Sequence, residues 1–301
     1  MRHADAFSVT DDTLIRTLSG FTHAYATVNK VKLHYVQGGT GAPLVLLPGW
    51  PETWWAYHHI MPRLAERFTV IAVDLRGMGS SDKPTDGYEK KNMALDVANL
   101  IEQLGYERAA VAGHDIGALV AYSLAANHPD RVSKLVLLDT PHPDQSMYKL
   151  PMLPMAPLDT PGYTYPWWVA FNQVPGLPEQ VLVGQMGRVL DWVFDALLLD
   201  PAAISEHDRA VYRAAYDSEA GIRGGCGWYR AFPQDIADAA TYARIDVPTL
   251  GLAGAGSHDM MAQALKQQAT DFRMEKVNDS GHFLLAEQPE QALEAMLDFL
   301  N

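Results

Sequence analysis

The chain has 301 residues, 48% of them hydrophobic, and 36 acidic side chains against 23 basic ones give a formal net charge of −13. That content supplies the core of one large globular domain, or of a domain with an insertion. The acidic surface excludes phosphate-backbone binding, and so nucleic-acid partners, and it favours neutral over anionic substrates. No run approaches about 18 apolar residues, so no membrane span is expected. Residues 1–20 have neither the apolar core nor the cleavage site of a signal peptide. A single cysteine, Cys226, suits a reducing compartment, and a cytoplasmic location is the expectation.

In chain order, residues 23–28 and 31–37 flank an Asn-Lys turn and read as a hairpin. Residues 43–49 and 68–75 are short apolar runs of the kind found in strands covered on both faces. Between them the spacing of Ile60, Leu64 and Phe68 reads as helical. A helix over 92–105, a strand over 108–115, a helix from Ile116 and a strand over 133–139 continue the alternation. This order predicts an α/β fold with a doubly wound, mostly parallel sheet. From about 141 to 240 the rhythm breaks into a Pro-, Met- and Trp-rich stretch that is helical where it is periodic, for example 177–198. Strands at 247–254 and 273–278 and a closing amphipathic helix then resume it. The expected organisation is a core of residues 1–140 and 241–301 with a helical cap, or lid, at 141–240.

Gly113-His114-Asp115-Ile116-Gly117 lies between a predicted strand and a predicted helix. This is the G-x-nucleophile-x-G turn with an acid where hydrolases usually carry serine. Its glycines admit a strained turn, and the helix that follows points its positive end at Asp115. A serine attacking saturated carbon would leave an ether. A carboxylate leaves an ester, which an activated water can cleave at its carbonyl. Asp115 therefore selects displacement at sp³ carbon, as in epoxides or alkyl halides. His282 follows the last predicted strand, the place of a general base in the chain order nucleophile, acid, base. Two residues compete to orient it: Asp139, which directly ends an apolar strand, and Asp259, which sits in a small-residue loop. Asp139 is preferred. His114 and His142 flank the site. No His-Glu-x-x-His or Cys/His grouping suggests a metal, and no cofactor is implied.

On "GHDIG", "LRGMGSSDKP", "HPDRVSKLVLLD", "FNQVPGLPE", "GWYRAF" and "SGHFLLAEQPE", the chain over about 22–300 resembles the epoxide hydrolase and haloalkane dehalogenase branch of the α/β-hydrolases. The resemblance implies an acid after the strand that follows the nucleophile helix, at Asp139. It also implies an oxyanion hole from the backbone N–H groups of Trp50 and Ile116. The oxyanion loop here is Pro48-Gly49-Trp50-Pro51, with proline where the family usually has histidine. Tyr229 matches the lid tyrosine that donates to the opening ring oxygen, and the second donor falls at Trp168, with Trp167 beside it.

The expected reaction converts an apolar, flat or bulky aromatic epoxide to a vicinal diol, in a pocket lined by Trp50, Trp167, Trp168 and Trp228. A homodimer is compatible with the sequence. A haloalkane dehalogenase would use the same Asp115, His282 and acid, but such enzymes often carry tryptophan directly after the nucleophile, where Ile116 stands. Fluoroacetate-type enzymes carry arginines where Ile116 and Leu119 stand. A non-catalytic binding module is the remote alternative, and an esterase would need an elbow serine.

Overall fold

The structure, a computed structural model, describes residues 9–151, 153–157 and 165–301. Its strands are β1 (Phe21–Val28), β2 (Val31–Gly38), β3 (Ala42–Leu47), β4 (Phe68–Val73), β5 (Ala109–His114), β6 (Val132–Leu138), β7 (Thr249–Ala253) and β8 (Phe272–Lys276). They form one eight-stranded sheet in the order β1-β2-β4-β3-β5-β6-β7-β8. β2 runs antiparallel to β1 and β4, and the remaining pairs are parallel. The β1–β2 turn places Asn29 and Lys30 at φ of 42° and 65°, the two positive values that match a hairpin's twist.

The central strands are apolar throughout because both their faces are covered. Every residue of β4 and β5 is buried, and Leu44–Leu47 of β3 are fully so. The helix Ile116–Asn127 buries everything from Ile116 to Ala125, as an all-round apolar helix must. It packs on the helix Lys90–Gln103. β3 leads outward to β4 whereas β5 leads on to β6, so the connections part between β3 and β5. At such a switch point the carboxyl ends of the strands leave a crevice.

Between β6 and β7 lie the helices Trp167–Gln173, Leu177–Leu182, Met186–Leu197, Glu206–Tyr216, Glu219–Arg230 and Phe232–Ala239. Lys90 ties the last two to the sheet layer. Fully buried, its Nζ donates to Asp235 Oδ2 at 2.8 Å and to the Trp228 carbonyl at 2.7 Å.

Two segments differ from the sequence reading. The helix expected between β3 and β4 is only a 3₁₀ turn, Trp54–Tyr57, and a single turn, Met61–Leu64. Pro62, which cannot donate to a preceding turn, starts the second piece, and Phe68 already belongs to β4. The helical stretch 177–198 is two helices, because Gly184 breaks it at φ 70°.

Candidate active site

The site is built from strand ends. β5 delivers Asp115, which caps the helix Ile116–Asn127 at φ 48° and ψ −120°, a conformation that L side chains rarely adopt. The flanking glycines make this turn sterically feasible. A Cβ on Gly113 would lie 2.2 Å from the Gly117 carbonyl oxygen, and one on Gly117 would lie 2.0 Å from that of Leu47. After β3, the Trp50 N–H donates to Asp115 Oδ1 at 2.9 Å. The Ile116 N–H belongs to the first helical residue and so lacks a partner within the helix.

β6 delivers Asp139 at φ 60°. Its Oδ1 accepts from the Gly254 N–H at 2.9 Å and from the Ser257 hydroxyl, both just past β7. Its Oδ2 lies 2.7 Å from His282 Nδ1, and His282 Nε2 faces Asp115 Oδ2 at 3.7 Å. Asp115, His282 and Asp139 therefore stand in one line. Asp259 is not part of it: fully exposed, it pairs with its neighbour His258. Burial disfavours the His282 imidazolium. The hydrogen bond to Asp139 and that carboxylate's charge, followed by the charges of Asp115 and Glu52, outweigh it and raise the pKa to about 9.

Tyr229, on the helix Glu219–Arg230, is buried and packs edge-on against Trp50 at 5.7 Å. Burial pushes its phenol well above the usual range, the Asp115 charge adds to that, and a hydrogen bond with Trp168 opposes it. Trp168 thus lies beside the tyrosine, whereas Trp167 packs edge-on against Trp192 and tilted against Phe171. Trp228 does not line the site as expected. Its indole donates to the Arg76 carbonyl at 3.0 Å, which anchors the helix to the sheet layer. His142 also lies elsewhere, packed among Tyr122 and Tyr242, with burial driving its pKa down to about 3.

One residue escaped the sequence reading. Glu52 is almost wholly buried, and its Oε2 lies 3.1 Å from His114 Nδ1. On the other side of that ring, His114 Nε2 donates to the His282 carbonyl at 2.9 Å. The signal was available: Glu52 is the only Asp, Glu, Lys or Arg between Pro43 and Pro62.

Residues 42–289 match the family model of the alpha/beta hydrolase fold. The chain belongs to the α/β-hydrolase fold family. It is 33% identical to the soluble epoxide hydrolase of Corynebacterium sp. (strain C12), over 92% of this chain and 96% of that protein. A fluoroacetate dehalogenase of Burkholderia sp. is 28% identical, over 94% of each chain. Among solved structures, the epoxide hydrolase CorEH without ligand superposes with a TM-score of 0.80 at 31% identity, over 93% of this chain and 98% of its own. This α/β-hydrolase is thus of the epoxide-hydrolase-like kind, with a dehalogenase also among its relatives. No helix among the described residues is long and apolar enough to cross a membrane.

Proposed function

We propose that the protein is an epoxide hydrolase working through a covalent ester on Asp115. The observation that carries this reading is the buried Tyr229 phenol, packed edge-on against Trp50, the residue whose N–H holds Asp115 Oδ1. A displacement at carbon needs the nucleophile on one side and a donor for the leaving oxygen on the other. A phenol with a raised pKa stays protonated at neutral pH, yet gives its proton readily to an alkoxide, which is far more basic.

In the first step an Asp115 oxygen attacks a ring carbon, the carbon–oxygen bond of the ring breaks, and the freed oxygen takes the Tyr229 proton while Trp168 helps hold it. In the second step His282, oriented by Asp139, takes a proton from water, and the hydroxide adds to the Asp115 ester carbonyl. The oxyanion rests on the Trp50 and Ile116 N–H groups. Collapse expels the alkoxide, which takes the proton from His282 to complete the diol, and the proton that the Asp115 carboxyl keeps from the added hydroxide passes to the Tyr229 phenolate, restoring the resting enzyme. Residues 141–240 serve as the cap that carries Tyr229 and Trp168, and Trp167 braces it. The preferred substrate is a neutral, apolar epoxide with aromatic character, and the cycle draws on no cofactor.

A single turnover of a racemic aryl epoxide in ¹⁸O-water, followed by mass spectrometry, should place the label in Asp115. A protein that forms diol without label in Asp115 does not work this way. The Burkholderia relative motivates a second reading, dehalogenation. Against it, Ile116 and Leu119 are buried and apolar and offer no charge to a halide or a carboxylate. Halide release from haloalkanes or fluoroacetate faster than epoxide turnover would favour that reading.

A further inference from the structure

At the far edge of the sheet, three metal-ligating side chains from separate elements meet: His23 on β1, His34 on β2 and Asp11 of the one-turn helix Asp11–Leu14. They share no residue with the site above. His34 is fully buried, and its Nδ1 lies 2.8 Å from Asp74 Oδ2. Asp74 accepts further bonds from the Trp54 N–H at 2.9 Å and the Ser80 N–H at 3.0 Å, so it acts as an acceptor towards His34. The His34 proton therefore sits on Nδ1, and Nε2 presents its lone pair.

That lone pair faces His23 Nδ1 at 3.2 Å. On the other side of the His23 ring, Nε2 lies 3.1 Å from Asp12 Oδ1, which draws the neutral ring's proton to Nε2. Two imidazole lone pairs thus point at each other, and Asp11 Oδ2 stands 3.7 Å from His34 Nε2. Asp11 is held in place by the Trp54 indole N–H at 2.7 Å and by the Ser80 hydroxyl. All three ligand atoms lie within 4.8 Å of one another. With both rings neutral in these tautomers, lone pairs so placed repel unless a proton or a metal cation joins them. Tetrahedral zinc with nitrogen ligands at about 2.0–2.1 Å separates those ligands by about 3.4 Å, close to the spacing here. The Asp74–His34 contact is the carboxylate–histidine pairing that orients metal ligands.

We propose that His23, His34 and Asp11 bind a divalent cation of the zinc class, which clasps the N-terminal segment to the edge of the sheet. Two imidazoles and one carboxylate favour zinc or cobalt over magnesium or calcium. A fourth position is left to water, since Asp11 and His23 are only partly covered.

The test uses the full chain stripped with chelator and titrated with Co²⁺, then with Zn²⁺ in competition with a chromophoric chelator. The expected result is one equivalent bound, visible bands of four-coordinate Co²⁺, and a melting temperature raised by Zn²⁺. His23→Gln and, separately, Asp11→Asn should each weaken Zn²⁺ binding at least about tenfold. His59→Gln, at a separate surface histidine pair, should leave it unchanged. Circular dichroism checks that each variant is folded. A wild-type protein that binds neither ion means that a shared proton alone joins the rings, which overturns the proposal. So does Zn²⁺ binding undiminished in folded His23→Gln.

Discussion

Replacing Asp115 with asparagine removes one charge at nearly constant shape, as esterification of the carboxylate would. The consequence falls on His282. Its pKa of about 9 leaves the imidazole protonated at neutral pH in the resting enzyme, whereas the second step requires it neutral. The Asp115 charge is one of the causes that raise the value, and it acts across 3.7 Å. Two unit charges at that distance attract by about 1 kcal/mol at the dielectric of water and about 4–5 kcal/mol at an effective dielectric near 20. At about 1.4 kcal/mol per pKa unit, losing the charge should lower the imidazole pKa by about one to three. Alkylation of Asp115 thus shifts His282 towards its neutral, basic form at the step that needs a base.

The assay is an NMR titration of the ¹⁵N-labelled imidazoles in wild type and in freshly prepared Asp115→Asn. Intact mass would verify that the asparagine has not deamidated, and His282→Gln would assign the resonance. The wild-type ring should titrate near 9 and the variant's lower by one unit or more. In rapid-mixing kinetics, ester hydrolysis should rise with pH about the lower value. An Asp115→Asn ring that still titrates near 9 would refute the coupling, and Asp139 alone would then set the value.

The other predictions concern single contacts. Asp139→Asn removes the acceptor that holds the His282 proton on Nδ1, so ester hydrolysis should slow by about 10²–10⁴-fold. Rapid-quench mass spectrometry should then find alkylated Asp115 accumulating. Tyr229→Phe should slow alkylation by about 10²-fold or more with an unchanged circular dichroism spectrum. Trp168→Phe, which leaves the phenol in place, should cost about tenfold or less. Asp235→Asn strands the buried Lys90 ammonium, whose pKa burial already lowers, and should destabilise the fold by about 3–5 kcal/mol in urea unfolding. The double variant Lys90→Met/Asp235→Leu should recover much of that loss.

Much of this site was legible because its chemistry sits where local patterns are strong. The strands β5 and β6 end directly before Asp115 and Asp139; the elbow motif picked out the first, and the strand end, with the family resemblance, favoured the second over Asp259. His282 was legible by its order after β8. The side-chain directions were not. Trp167, Trp168 and Trp228 are alike as letters, yet one packs edge-on against Trp192, one lies beside Tyr229 and one anchors a helix to the Arg76 carbonyl. Which of them faces the reacting atoms depends on how the helices of 165–240 dock, a long-range property that no local spacing encodes. The pair Glu52–His114 was hidden for the same reason, since it joins a loop to a strand distant in sequence.

The proline at position 48 bears on the same distinction between local sequence and assembled contacts. Family members usually carry histidine there, yet the Trp50 N–H points at Asp115 Oδ1 all the same. The loop is positioned by contacts that do not involve the residue 48 side chain. The Glu52 N–H closes a turn on the Gly49 carbonyl at 2.9 Å, and the Trp54 N–H is held by Asp74 behind it. The Tyr216 hydroxyl, from a helix between β6 and β7, donates to the Glu52 carbonyl at 2.7 Å. Gly49 lies so close to the nucleophile that a Cβ there would meet Asp115 Cβ at 2.3 Å, so the loop could not sit this close with any other residue. The Glu52 side chain reaches onward through His114 to the His282 carbonyl. One short loop therefore touches the nucleophile through the backbone of Trp50 and is linked to the backbone of the base through Glu52 and His114. Its geometry is set by Asp74, Tyr216 and His114, all outside the motif by which the loop is recognised.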